Sequence, residues 1–213
     1  VNFITFYSLT FYVNKIIPVI LMPKTENENI LNYFVEAGVL KNQKHVGWWI
    51  AGVKDPETVA EHSFRAAIIA YVLACKEKHA SPEKVACAVL FHDMHETRLG
   101  DRHKITSNYA KISKEVEKKV EKEQCALLGE CGESVYSLLE NGGDIARDAD
   151  YLEQAITAKE YYDIGYKATW EWIERVSQVL KTKTAKELCE LLKKTDSKTW
   201  WVGLKEDVEK LKY

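Results

Sequence analysis

An all-α domain is what the sequence predicts, and three observations predict it. From Thr25 onward, apolar residues recur at three- and four-residue spacing. Gly and Pro fall between those stretches as punctuation rather than in β-turn pairs. Hydroxyl side chains and a proline stand where several of the stretches begin, as helix starts require. At 213 residues and 46% hydrophobic composition, the chain is long enough to bury a core as one domain.

The first 22 residues are apolar and aromatic but interrupted by Asn14, Lys15 and Pro18. They fit neither a signal peptide nor a spanning helix, which needs about 20 uninterrupted apolar residues. Residues 1–22 are therefore expected to be an extension ahead of a helical domain at 23–213, an extra packing strand or a membrane anchor being the alternatives. Ile30, Leu31 and Phe34 share one face of the first expected helix, and Gly38 is placed to end it. After a loop through Gly47 and Gly52, a helix from about Thr58 to Lys78 carries Ala66, Ile69, Ala70 and Leu73 inward, with His62 in its first turns. Ser81 and Pro82 open the next helix, which runs into His92 and Asp93. Past Gly100, a charge-laced helix turns Val116, Val120 and Leu127 inward. Its mixed signs describe a solvated face rather than a binding patch. After Gly142 and Gly143 a long helix places Ile145, Leu152 and Ile156 inside. Another follows from Trp170 to Leu180, and Thr184 to Glu187 reads as a capping box opening the last.

The bulk numbers exclude several functions. Net charge is -2 with 29% charged residues, so nothing draws the chain toward a nucleic-acid polymer or an anionic membrane, and an anionic ligand must be caught locally. Five scattered cysteines without a C-x-x-C pair argue against a disulfide framework and a thiolate zinc site, which suits a reducing cytoplasm.

Chemistry concentrates at residues 88–101, where an apolar helix suddenly presents His92, Asp93, His95, Glu96 and Asp101. Burying so many ionisable groups is costly unless they share a cation or hydrogen-bond partners. Imidazole and carboxylate together suit Mn, Co, Fe or Zn, and carboxylate with water suits Mg. On a continuous helix Glu96 would overhang the His92–Asp93 pair. His62 interrupts an otherwise apolar helix, and alone it reads as a hydrogen-bonded core residue. Arg65 shares its face, where a guanidinium would meet a phosphate, or else a salt bridge. Asp148 and Asp150 fall on different faces of their helix, with Asp148 nearer the apolar stripe. Periodicity does not choose Asp150.

Taken together, E-H-S-x-R-A at 61–66, L-F-H-D-M-H-E at 90–96, G-D at 100–101 and R-D-A-D-Y-L at 147–152 resemble the HD-domain superfamily, and within it the 5'-deoxynucleotidase-like branch. The resemblance spans about Leu40 to Tyr161. It implies an HD-type helical bundle with one divalent ion (Mn, Co or Mg, with Zn and Fe as alternatives) held by His62, His92, Asp93 and Asp150. It further implies catalytic roles for Glu96 and Asp101, and a substrate contact at Trp48 of H-V-G-W-W. The family's arginine in that last element is replaced by His45, so phosphate recognition would pass to His45, Arg65, Lys104 or Lys44. The implied activity is release of phosphate from (deoxy)nucleoside 5'-monophosphates by a homodimer. Another nucleotide hydrolase or phosphodiesterase of the superfamily, a two-metal site using His95 and His103, and a silent nucleotide- or protein-binding scaffold are the alternatives.

Overall fold

The structure is a computed structural model that describes residues 24–204. The expected extension at 1–22 lies outside the described residues. Among the described residues there is no sheet, only an isolated antiparallel bridge between Lys44 and Thr58.

Helix α1 (Glu26–Ala37) starts at a capping box, in which the Glu28 amide donates to Thr25 Oγ1 and the Thr25 amide donates to Glu28 Oε2. The short α2 (Gly47–Ile50) leads into α3 (Val59–Lys76), which opens on the same device built from Thr58 and Glu61. Then follow α4 (Pro82–Phe91), the one-turn α5 (Glu96–Leu99), α6 (Lys104–Tyr109), α7 (Lys114–Ala126), α8 (Glu130–Glu140), α9 (Gly143–Asp163), α10 (Trp170–Val179) and α11 (Lys183–Leu192). No helix among them is long and apolar enough to cross a membrane.

The core forms where α3, α4 and α9 pack on one another. Ala66, Ala70 and Ala74 on α3 meet Ala149, Ala155 and Ala158 on α9, and these small side chains let the two backbones approach. Leu73 and Leu152 fill the space between, each contributing roughly 1.5–3 kcal/mol by burial. Ile173 and Val176 of α10 and Ala185 and Cys189 of α11 close the layer. A smaller core gathers Tyr33, Leu40, Val59, Met94, Cys125 and Leu128. The turn from α7 to α8 is possible only because residue 132 is glycine. A Cβ there would stand 2.0 Å from the Cys125 carbonyl oxygen.

Four expectations change, the first being Val116, which is exposed on α7 while Val120 is buried. Leu31 and Phe34 point outward, at 60% and 61% exposure, and Tyr33 is the buried residue of α1. The inward face of that helix is chosen by a polar brace, not by aliphatic spacing. Glu36 accepts from Arg98 Nε (2.7 Å) and Nη2 (2.9 Å), from Thr97 Oγ1 (2.8 Å) and from Gln124 Nε2 (2.6 Å). The last helix begins at Thr182, whose hydroxyl accepts from the Ala185 amide, while the Thr184 amide donates to Glu77. Ser81 makes no capping bond through its side chain, although Pro82 does open α4.

The brace has a pH signature. The Arg98 guanidinium, acting against burial and aided by Gln124 and Thr97, holds the Glu36 carboxyl at about 2. A depressed carboxyl stabilises the fold above its ordinary value near 4.5, and that stabilisation is lost as pH falls through 2. The span corresponds to a ceiling of about 3 kcal/mol, reduced by screening at the partly exposed Arg98. Glu36→Gln is therefore expected to cost about 2 kcal/mol at pH 7. Urea titrations should show the gap from wild type closing between pH 4.5 and pH 2, and a gap independent of pH would refute the brace.

Candidate metal centre

Helix α4 ends at Phe91, and the chain passes through turns at 92–95 before α5 begins at Glu96. Helical spacing therefore does not apply between His92 and Glu96, and turn geometry brings both to one place. His92 Nδ1 pairs with the Val89 carbonyl at 2.6 Å, which leaves Nε2 for the site. That Nε2 lies 3.1 Å from Asp93 Oδ2 and 3.9 Å from Asp150 Oδ1. From α3, His62 presents Nε2 at 3.2 Å from Asp150 Oδ1 and 3.8 Å from Asp93 Oδ2, while its Nδ1 is bonded to Glu153.

Two observations bear on whether a cation fits. Ligand atoms of His62, His92 and Asp150 all lie within 4.8 Å of one another, as do those of His45, His62 and Asp93. His62 Nε2 is buried and, despite its nearness to Asp150, lacks the alignment of a hydrogen bond. Two imidazole nitrogens and two carboxylates converging on an unsatisfied buried nitrogen form a donor set for a divalent metal. The electrostatics agree. Burial raises the Asp150 carboxyl, but the neighbouring His62 and His92 imidazoles outweigh it and hold it well below the usual range. Burial would lower both imidazoles, and the surrounding carboxylates raise them instead, Asp150 and Glu153 at His62 and Asp93 and Asp150 at His92. The carboxylates thus draw positive charge onto these atoms, as a proton or as a cation.

His62, Asp93 and Asp150 of the cluster line a cavity of about 540 Å³. Glu96 and Asp101 line it beside the cluster, and Glu96 Oε2 is buried without a partner. Burial, with the negative charges of Asp93 and Asp101, pushes the Glu96 carboxyl up to about 9. Asp101 Oδ2 accepts the Val46 amide at 2.6 Å and so ties the 45–48 segment to the site. Gly100 makes that approach possible with φ of 71°. His45 sets its ring 4.6 Å from that of His62 at a tilt of 49°, and Arg102, His103 and Lys104 line the cavity at the start of α6. Trp48 serves core and cavity at once. It is buried against Tyr161 and Trp172 at 5.3 Å each, donates Nε1 to Glu57, and still lines the wall.

Arg65 is the candidate that the structure places elsewhere. It does not line the cavity, and its guanidinium is bonded to Glu153, Thr157 and Glu160. Asp148 is fully buried on the other face of α9, where its carboxylate accepts the Lys181 and Thr182 amides at the entry to α11. Two residues around the site escape sequence reasoning. Glu153 stands three positions after Asp150, on the same face of α9, a spacing that could have exposed it. Glu57 accepts from both Trp48 and Thr157, and lies in a loop with no pattern to mark it.

An HD-domain family model matches residues 37–193, and the chain belongs to that family. Among curated proteins it is similar to the 5'-deoxynucleotidase HDDC2 of Dictyostelium discoideum, 30% identical over 62% of this chain and 77% of that one. It is also similar to the 5'-deoxynucleotidase HDDC2 of Bos taurus, 27% identical over 70% of this chain and 76% of that one. Among solved structures, a predicted coding region from Archaeoglobus fulgidus superimposes with a TM-score of 0.63 at 31% identity, covering 82% of this chain and 99% of that one.

Proposed function

We propose that this chain is a metal-dependent phosphohydrolase that releases phosphate from (deoxy)nucleoside 5'-monophosphates, with one divalent ion on His62, His92, Asp93 and Asp150. The observation that carries the reading is the convergence of His92, Asp93 and Asp150 on the buried, unpartnered His62 Nε2 beside the cavity. Both curated relatives described above are 5'-deoxynucleotidases, which supports the monophosphate substrate. A divalent ion held there would supply Lewis acidity toward a phosphoryl oxygen and acidify water. Glu96, whose carboxyl burial pushes up, is placed to protonate the leaving 5'-oxygen. Asp101 holds the loop bearing His45 and Trp48 and orients the attacking water. The phosphate takes its counter-charge from Arg102 and Lys104, with the His45 ring beside them, since Arg65 is committed elsewhere. Trp48, Tyr151 and Trp172 offer aromatic walls for a base.

A homodimer and a cytoplasmic setting belong to the same proposal. Phe64, Ile68 and Val72 form an exposed apolar stripe along α3, which supports the first. Five free thiols support the second.

The test is phosphate release from each deoxynucleoside and ribonucleoside 5'-monophosphate with Mn, Co or Mg added. Release from at least one deoxynucleotide, abolished by a chelator and restored by one ion per chain, is the expected result. Silence across the whole grid would dismiss the assignment.

A further inference from the structure

We infer that Glu153, anchored by Arg65 and Thr157, is the positioning residue that presents His62 Nε2 to the metal. The inference rests on the proposed metal reading of His62. Glu153 is completely buried, one helical turn beyond Asp150 on α9, and it does not line the cavity. Its Oε2 is bonded to His62 Nδ1. Its Oε1 receives Arg65 Nε at 2.8 Å and Nη2 at 2.7 Å. Arg65 continues through Nη1 to Glu160 at 2.7 Å. Thr157 Oγ1 accepts from Arg65 and lies 3.0 Å from both Glu153 Oε1 and Glu57 Oε2. A hydroxyl has one proton, so Thr157 serves one of these carboxylates at a time.

A buried carboxylate persists only when charge and hydrogen bonds compensate it, and here the compensation comes from His62 and Arg65 on α3 and Thr157 on α9. Such an investment at a residue outside the cavity calls for a purpose, and the His62 ring supplies it. With Nδ1 donating to a fixed carboxylate, the ring cannot rotate, its free nitrogen is Nε2, and that nitrogen gains basicity as a ligand. His92 is oriented differently, because its Nδ1 meets only the Val89 carbonyl. The two imidazoles are thus unequal, and His62 is the one held by a charged partner. This also gives Arg65 its role. The guanidinium holds Glu153 Oε1 and so keeps Oε2 aimed at His62, at a distance from any substrate.

Cobalt(II) affinity, measured by competition with a chromophoric chelator and by the visible absorption of the bound ion, tests the inference without turnover. Wild type is expected to bind one ion. Glu153→Gln, nearly isosteric, is expected to bind roughly 10- to 100-fold more weakly with an altered visible spectrum. Arg65→Gln should fall between them. An affinity within twofold of wild type in folded Glu153→Gln would overturn the inference and leave the metal reading intact. Failure of wild type, or unchanged binding by His62→Ala, would overturn the metal reading itself. If Glu153→Gln does not fold, imidazole nitrogen NMR of the zinc-loaded wild type decides. A proton on His62 Nδ1 supports the positioning role, and a proton on Nε2 refutes it.

Discussion

Asp150→Asn is expected to lower phosphate release by at least about 1,000-fold and to strip the protein of its metal, with little effect on folding. Asp150 Oδ1 is the carboxylate oxygen placed between both imidazoles, 3.2 Å from His62 Nε2 and 3.9 Å from His92 Nε2. The amide has the same shape and can still accept from Gln154 Nε2, now at 2.8 Å from Oδ1, so packing survives while the charge disappears. Without that charge a divalent ion loses one of its two anionic ligands. Asp148→Asn is the matched control. Its carboxylate accepts backbone amides at the start of α11, and the amide substitute turns a donor toward at least one of them. The expected cost is about 1–3 kcal/mol of stability with activity per folded molecule retained. Metal analysis, phosphate release and thermal unfolding on both variants separate the roles. Phosphate release by Asp150→Asn within tenfold of wild type would sink the ligand assignment.

That pair also shows where sequence reasoning stops. Periodicity correctly puts Asp148 near the apolar stripe, since it is wholly buried, yet burial serves a cap and not the metal. Asp150, half-buried on the flank of the stripe, reaches the site because α9 runs alongside α3 and the end of α4. That relation belongs to tertiary packing and leaves no mark on a single helix. Arg65 follows the same logic. Sharing a face with His62 brings it near that residue's environment, but the carboxylates that claim it, Glu153 and Glu160, come from another helix. The helices themselves were largely legible, because caps such as Thr25 and Thr58 act within a few residues of chain. Which face of α1 turns inward was not, because Glu36 is drawn in by Arg98 and Gln124, far along the sequence. The 92–96 stretch reads as one helix on periodicity, and the break after Phe91 is what allows Asp93 and Glu96 to line one cavity while His92 turns its Nε2 toward Asp93 and Asp150.

Glu96→Gln carries the second large effect, and it separates catalysis from metal binding. The variant is expected to keep its metal and lose about 100- to 10,000-fold in kcat, the range for a positioned proton donor. Burial, with Asp93 and Asp101 nearby, keeps the proton on Glu96 up to about 9 in the metal-free protein, and a seated cation draws that value down. In wild type, kcat should therefore fall as pH rises through a value below 9, and the residual activity of Glu96→Gln should lack that limb. The substitution moves stability in the opposite direction to activity. A carboxyl raised in the folded state binds more protons there than in the unfolded chain, so metal-free wild type loses stability as pH climbs from about 4.5 toward 9. A glutamine has no proton to lose, and metal-free Glu96→Gln should be more stable than wild type at pH 8, by a margin that shrinks toward pH 4.5. Calorimetric unfolding at both pH values, beside kcat and metal content, measures all three effects. A variant that loses activity together with its metal would make Glu96 a ligand, and one that gains no stability at pH 8 would deny that burial keeps its proton in place.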